Sequence, residues 1–327
     1  RPEHYGDPAA EVRRVRESVG IIDVTPLGKI DLRGPDVPKL LNHLYTNKWM
    51  KLPIGKVRYG AMVSDDGVVM DDGVTAHLGE DHYLMTTTTS GAGRVWDWIE
   101  EWLQTFHPEW QVHATPVTTA YTSINIAGPH SRTLLSRLTD DVDLSSDAFK
   151  YMEVRTGTVA GVKNTILWRI GFTGELSYEI HVPAAYGLHV WETLLEAGKD
   201  LGVGPFGIEA QRVLRLETGH LIVGQDTDGL TKAYSAGLDW AVKLDKDDFV
   251  GKPELLWQQQ NQAGPRLVAV QPVDPNVVPY EASQIIYPDG TIAGRITSSR
   301  FSPTLNRSIA LAQVDSSLSS PGTLLDV

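Results

Sequence analysis

Apolar residues recur along the chain at two spacings, and the changes between them set the predicted elements. Val12, Val15 and Val19 stand at helical spacing with Arg and Glu between them, which predicts a helix ended by Gly20. Residues 21–24 and 29–34 read as two short strands, and residues 37–44 as a second helix. From residue 57 to residue 89 the pattern is strand and turn, followed by an amphipathic helix carried by Val95, Ile99, Trp102, Leu103 and Phe106. The theme then repeats. "TSINIAG" is a strand, a helix follows Pro129, strands lie near 165–170 and 178–182, and helices cover 186–197 and the stretch from Ile208 through "EAQRVLRLE". After Gly264 only short apolar strands separated by Pro, Asp and Gly remain. A boundary at Ala263-Gly264-Pro265 therefore divides an α+β region, residues 1–263, from a small all-β domain, residues 264–327. The expected fold class is α+β with mostly antiparallel strands and no tandem repeat.

Composition narrows the function. The 327 residues are 41% hydrophobic, enough for a sizeable core, and no apolar run approaches the ~20 residues of a membrane span. Cysteine is absent, which removes disulfides, thiolate nucleophiles and cysteine-bound metals and fits a cytoplasmic protein. The net charge of −12 argues against nucleic acid as a partner, and an anionic ligand would need its own local arginines. The chain opens without Met and closes on what reads as an interrupted strand, so it is expected to be part of a longer polypeptide.

Several motifs have plainer readings. Gly202-Val203-Gly204-Pro205-Phe206-Gly207 matches a dinucleotide fingerprint, with Asp226 at the distance of a ribose-binding acid. A helical segment precedes it where a strand is required, and Pro205 removes a backbone N–H from the loop, so a helix–helix turn is expected. The ten histidines show no metal spacing, and His77 and His82 flank a turn as ordinary satisfied side chains. Trp96, Trp98 and Trp102 read as packing residues of an amphipathic helix. There is no G-x-S-x-G elbow.

The stretch "DDGVVMDDGVT" is more pointed. Asp65-Asp66-Gly67 suits a hairpin turn, but a second Asp71-Asp72-Gly73 beyond three apolar residues is not needed to close it. Either it makes another turn, or one of its carboxylates has a chemical task.

Taken with "RIGFTGELSYEIHVP", "GIEAQRVLRLETGHLIVGQDTDG" and "TSSRFSPTLNRSIALAQV", this stretch resembles the glycine-cleavage T-protein (aminomethyltransferase) superfamily along nearly the whole chain. "IDVTPLGKIDLRGPD", "RYGAMVSDDGVVMDDG" and "VGQDTDG" are most similar to the carboxy-terminal folate domain of sarcosine oxidase alpha subunits. T-proteins proper show Tyr at the place of Phe172 and other wording at 223–229, which favours the oxidase branch.

The resemblance implies a three-domain cloverleaf, with two intertwined α+β subdomains and a C-terminal β-barrel, binding tetrahydrofolate. It implies Asp72 as the catalytic carboxylate, with Asp71 the turn residue, and Tyr59, Phe172, Glu179 and Arg212 as folate-binding residues. These types suit the chemistry. A carboxylate accepts from pterin N–H groups, and an Arg fork takes the carboxylates of the folate tail. A second carboxylate can hold a proton and offset positive charge during one-carbon transfer. The implied activity is transfer of a methylene unit from an oxidised N-methyl amine such as sarcosine to give 5,10-methylenetetrahydrofolate. No flavin motif occurs, so flavin or NAD would sit on another domain or subunit, and a flavoprotein partner is implied. The alternatives are a stand-alone aminomethyltransferase or demethylase, and a non-catalytic folate-binding protein. The latter type carries a Cys motif where this chain has His220 and no thiol.

Overall fold

The computed structural model describes residues 1–261 and 264–327. In chain order the elements are α1 (Pro8–Glu17), β1 (Gly20–Asp23), β2 (Gly28–Arg33), α2 (Val37–Leu44), β3 (Val57–Val63), β4 (Val69–Gly79), β5 (His82–Thr87), α3 (Ala92–Glu101), β6 (His113–Pro116), β7 (Tyr121–Ala127) and α4 (Ser131–Ser136). There follow β8 (Val154–Val159), β9 (Val162–Trp168), β10 (Ser177–Pro183), α5 (Gly187–Ala197), β11 (Gly204–Pro205), α6 (Ile208–Glu217), α7 (Lys252–Asn261), β12 (Arg266–Val270), β13 (Gln284–Ile286), β14 (Ile292–Ser302) and β15 (Arg307–Val314). No helix among the described residues is long and apolar enough to cross a membrane.

Two compact units emerge, neither of them contiguous in sequence. Unit 1 comprises Arg1–Lys39, Met50–Tyr59 and Gly73–Gln211; unit 2 comprises Leu40–Trp49, Gly60–Asp72 and Arg212–Val327. The boundary expected at Ala263 lies outside the described residues, although Gly264 and Pro265 are within them. A six-stranded sheet of order β11-β1-β7-β10-β9-β8 belongs to unit 1, and a four-stranded sheet of order β12-β15-β14-β13 to unit 2. A five-stranded sheet runs β3-β4-β5-β2-β6, its β3–β4 hairpin passing from unit 1 into unit 2 and back. Among the described residues the strand registers are antiparallel except for β1 with β11, where Gly20 pairs with Gly204.

In unit 1 the two faces of the six-stranded sheet differ in kind. Ile124, Ile126, Leu167, Tyr178, Ile180 and Val182 fill one face and pack on Leu134, Leu135, Val190 and Leu194 from α4 and α5. On the other face Ile166 and Trp168 pack with Val57, Ala76 and Leu84. Strand alternation puts Ser123, Asn125, Ser177, Glu179 and His181 on this second face, and all five are buried. Alternating polar residues ordinarily mark a solvated face. Here they mark a polar interior.

Helix α1 starts earlier than the valine spacing indicates. Asp7 caps it by accepting from Ala9 N at 2.9 Å, Pro8 occupies its first turn, and Ser18 ends it, so Val19 and Gly20 lie beyond. The amphipathic helix after Thr89 also changes character: α3 ends at Glu101 and residues Trp102–Phe106 form a π-helical turn. Trp102, His107 and Trp110 stack in series beyond it, the last pair at 3.8 Å.

Gly202–Gly207 is not a helix–helix turn. A 3₁₀ turn at Lys199–Leu201 ends with Gly202 at φ 70°, and Gly204-Pro205 then form β11, a two-residue strand parallel to β1. Its polar groups are taken up locally. Pro205 O accepts from Arg14 Nη1 at 3.0 Å and Gly207 N donates to Glu11 Oε2 at 2.8 Å. A phosphate cradle needs those backbone groups available, so the dinucleotide reading fails on geometry as well.

Candidate functional site

Glu179 is the most deeply placed of the expected ligand-binding residues. It stands at the middle of β10, cross-strand from Asn125 on β7 and Trp168 on β9, and is 6% exposed. Its Oε1 is 3.2 Å from His181 Nε2, two residues along the same strand face. Ser177 Oγ donates to Asn125 Oδ1 at 3.1 Å on that face. The buried ammonium of Lys29 donates to the carbonyls of Thr25 and Leu27 at 2.9 and 3.0 Å. Burial pushes Lys29 below the ordinary lysine range, while the carboxylates of Glu179 and Asp23 act in the opposite direction. Lys29 is thus within electrostatic reach of Glu179, whose own polar side-chain contact is His181. Trp168 Nε1 is buried there without a hydrogen-bond partner.

The two acidic pairs have different structures. Asp65-Asp66-Gly67 closes the β3–β4 hairpin: Ser64 N donates to Val68 O at 2.9 Å, and Gly67 N to Ser64 O at 2.8 Å. Gly67 takes φ 74°, the conformation that favours glycine. Asp71-Asp72-Gly73 lies wholly inside β4. Asp71 is therefore not a turn residue. It is 2% exposed within a paired strand, whereas Asp72 is half-buried. Turn propensity is overridden here by the strand ladder. The start of β4 is held in unit 2 by Val69 N donating to Thr231 O at 2.9 Å and by a Val68–Lys232 bridge. Gly73 is dictated by crowding, since a Cβ there would stand 1.9 Å from Thr86 O.

The other expected residues divide between the units. Tyr59 on β3 and Phe172, in the loop between β9 and β10, belong with Glu179 to unit 1, and both are half-buried. Asp72 and Arg212 belong to unit 2. Arg212 is half-buried on α6, and one turn further Arg215 is fully buried. Arg215 Nη1 donates to Asp226 Oδ2 at 2.5 Å and Nη2 to Ser298 Oγ at 2.6 Å. Asp226 also accepts from Ile222 N at 2.8 Å, Thr297 Oγ1 at 2.7 Å and Ser298 Oγ at 2.6 Å. Asp226 is thus the anchor of the "VGQDTDG" loop, binding it to α6 and β14, and not a ribose acid. His77 and His82 have protein partners too: His77 Nδ1 contacts Leu52 O at 2.7 Å, and His82 Nε2 contacts Asp31 Oδ2 at 2.6 Å. Among the described residues no cluster of His, Cys, Asp or Glu is placed to hold a metal ion.

Sequence reasoning missed His181, Ser123, Lys29 and the Arg215–Asp226 pair. The first was visible in part, since Ser177, Glu179 and His181 share one parity of "SYEIHV". Ser123 and the Arg215–Asp226 pair depend on partners beyond their own elements, and the local carbonyls that hold Lys29 leave no mark in the residue pattern.

Residues 1–246 match the GCVT N-terminal domain model, and residues 266–327 match the glycine cleavage T-protein C-terminal barrel domain. The chain is 43% identical over 324 residues to sarcosine oxidase subunit alpha of Corynebacterium sp. strain P-1, covering 96% of this chain and 33% of that protein. It therefore spans about a third of the length of that relative. An aminomethyltransferase of Halothermothrix orenii is 31% identical over 326 residues, covering 100% of this chain and 88% of that protein. The solved structure of the glycine cleavage system aminomethyltransferase T from Bartonella henselae superposes with a TM-score of 0.86 at 22% identity, covering 97% of this chain and 84% of that one. That likeness fixes the fold: α+β, mostly antiparallel, with a C-terminal β domain. The chain belongs to the glycine cleavage T-protein family.

Proposed function

We propose that this chain is a tetrahydrofolate-dependent one-carbon transferase, acting on a methylene unit that comes from an oxidised N-methyl amine such as sarcosine. The observation that carries the reading is Glu179, a carboxylate buried on a polar sheet interior beside Lys29 and His181. Burying a carboxylate is costly unless donors meet it. A pterin edge presents N–H and NH₂ donors that a carboxylate can accept. The donor set therefore fits the group. Tyr59 and Phe172 would hold its aromatic portions and Arg212 its carboxylate tail.

When bound, tetrahydrofolate supplies two nitrogens between which a one-carbon unit is held. The chain's own part is positional and electrostatic. Glu179 accepts hydrogen bonds and orients the ring. Asp72 holds a proton and offsets positive charge near the transferred carbon. The methylene donor would be generated elsewhere, on a flavin- or NAD-bearing domain or subunit, in keeping with the fraction of the oxidase relative that the chain spans. The match to nearly the whole of an aminomethyltransferase favours, as a second reading, action without such a partner. Recovery of a flavoprotein on co-purification separates the two.

The test is Asp72→Asn, which keeps shape and removes charge. Tetrahydrofolate affinity by calorimetry should change little, while 5,10-methylenetetrahydrofolate formation above the uncatalysed background falls by about 10²-fold or more. Unchanged turnover would remove Asp72 from the chemistry. No binding of tetrahydrofolate at millimolar concentration would remove the function.

A further inference from the structure

We propose that His181 is a positioning residue for Glu179: held in one tautomer by Ser123, its Nε2–H restrains the Glu179 carboxylate and so sets the affinity for a ligand that donates hydrogen bonds to it. The proposal rests on the reading of Glu179 as a ligand-binding carboxylate.

The arrangement is a buried relay across two strands. Ser123 on β7 is the register partner of His181 on β10, and Ser123 Oγ is 2.8 Å from His181 Nδ1. Both residues are 0% exposed. The opposite ring nitrogen, Nε2, is 3.2 Å from Glu179 Oε1. Trp168 closes the third side, its ring centroid 4.6 Å from the imidazole at an interplanar angle of 53°. His181 therefore cannot swing away, and it is too enclosed to meet a ligand itself.

Between the two neutral tautomers the contacts favour one. If Nδ1 carried the proton, the partial negative charge on bare Nε2 would stand 3.2 Å from a carboxylate oxygen, an electrostatically repulsive approach at a buried site even without alignment. With the proton on Nε2, Ser123 Oγ–H donates to Nδ1 and Nε2–H faces the carboxylate. The 3.2 Å approach lies off the N–H axis and makes no aligned hydrogen bond. It acts as a charge–dipole restraint on Oε1, leaving the remaining lone pairs of Glu179 for a ligand.

A restraint of this kind matters because the terminal torsion of Glu is broad and the side chain loses much rotamer freedom when fixed. Fixing it before the ligand arrives moves that cost from the binding step to the folding step. The expected signature is an effect on affinity that exists only while residue 179 is a carboxylate.

The experiment is a cycle of variants in the full chain, with tetrahydrofolate as the probe. His181→Leu removes both ring nitrogens, His181→Gln keeps an N–H close to the Nε2 position, and each is made with Glu179 and with Glu179→Gln. The dissociation constant should rise about tenfold for His181→Leu and less than about threefold for His181→Gln, with neither change seen in the Glu179→Gln background. Equal losses in both backgrounds, or no loss in either, overturn the proposal. Nitrogen-15 spectra of labelled histidine give an independent reading without ligand. A protonated Nε2 and bare Nδ1 for His181, with a shifted tautomer mixture in Ser123→Ala, support the restraint; a protonated Nδ1 refutes it. Failure of the wild-type chain to bind tetrahydrofolate would overturn the folate reading and the affinity claim with it. The tautomer spectrum would still decide whether His181 restrains Glu179.

Discussion

Replacing Asp226 by Asn tests the account of unit 2 at its most demanding point. The Asp226 carboxylate and the Arg215 guanidinium are 0% and 1% exposed, so water cannot take over for either. Burial pulls Arg215 below its ordinary range, with the Asp226 charge opposing it. In Asp226→Asn the amide oxygen can still face Arg215 Nη1 and Ile222 N. The new NH₂ then meets the hydroxyls of Thr297 and Ser298, of which Thr297 can turn to Leu311 O at 3.2 Å. Hydrogen bonding is largely repaired, and neutralisation is not. An uncompensated buried charge costs about 3–5 kcal/mol, a large share of the ~5–15 kcal/mol that stabilises a domain. Urea unfolding followed by tryptophan fluorescence measures the loss. The double variant Arg215→Met, Asp226→Asn leaves no buried charge, keeps the side-chain amide beside Ile222 N, Thr297 and Ser298, and should recover more than about 1 kcal/mol relative to Asp226→Asn alone. A single variant within about 1 kcal/mol of wild type, or a double variant no better than the single, would refute the reasoning.

Glu179→Gln places an NH₂ against ligand donors and should weaken tetrahydrofolate binding by about 1–3 kcal/mol; calorimetry giving an unchanged constant would count against the site. Asp71→Asn, now a substitution inside a buried stretch of strand, should lower stability by about 1–3 kcal/mol in a thermal melt, not act as a silent turn change. Gly73→Ala forces β4 away from Thr86 O and should cost about 1–3 kcal/mol, so a wild-type melting profile would disprove the close approach. Lys246 donates to the carbonyls of Asn42, Tyr45 and Asn47, yet burial, with Lys252 and Lys48 nearby, pushes it down to about 7 from 10.5. Between those values the unfolded chain binds the proton and the folded chain does not, so the Lys246 contribution to stability rises with pH across that window. The stability difference between wild type and Lys246→Met, followed from pH 7 to pH 10, should increase; a flat difference would mean that the three carbonyls outweigh burial.

How far the sequence carried depended on how local each determinant is. Helix α1 was legible because Val12 and Val15 face one side within a single segment, and only the Asp7 cap moved its start. The strand that carries Glu179 was legible because its motif is continuous. Arg212 and Arg215 sit one turn apart on the same helix, and no local pattern says which is buried. That is settled by Asp226, Ser298 and a hairpin more than eighty residues downstream. Strand β11 is two residues long and exists because Gly20 pairs with Gly204 across most of unit 1, which periodicity cannot register. Asp71 was misread as a turn residue for the same reason. Asp-Asp-Gly favours a turn in isolation, but the ladder and burial of β4 fix it as extended chain.

The discontinuity of the two units limits how such a chain can be divided or recombined. The backbone changes unit at Lys39/Leu40, Trp49/Met50, Tyr59/Gly60, Asp72/Gly73 and Gln211/Arg212. No single cut yields either unit as a contiguous piece, and no gene fragment ending at any of these points encodes a whole unit without part of the other. Three of the crossings fall at Tyr59, Asp72 and Arg212, so a breakpoint there would also sever the proposed chemistry. A recombination event that preserves both units must carry the whole block, from the capped first helix to the last strand pair. The unit of inheritance is therefore larger than the unit of packing.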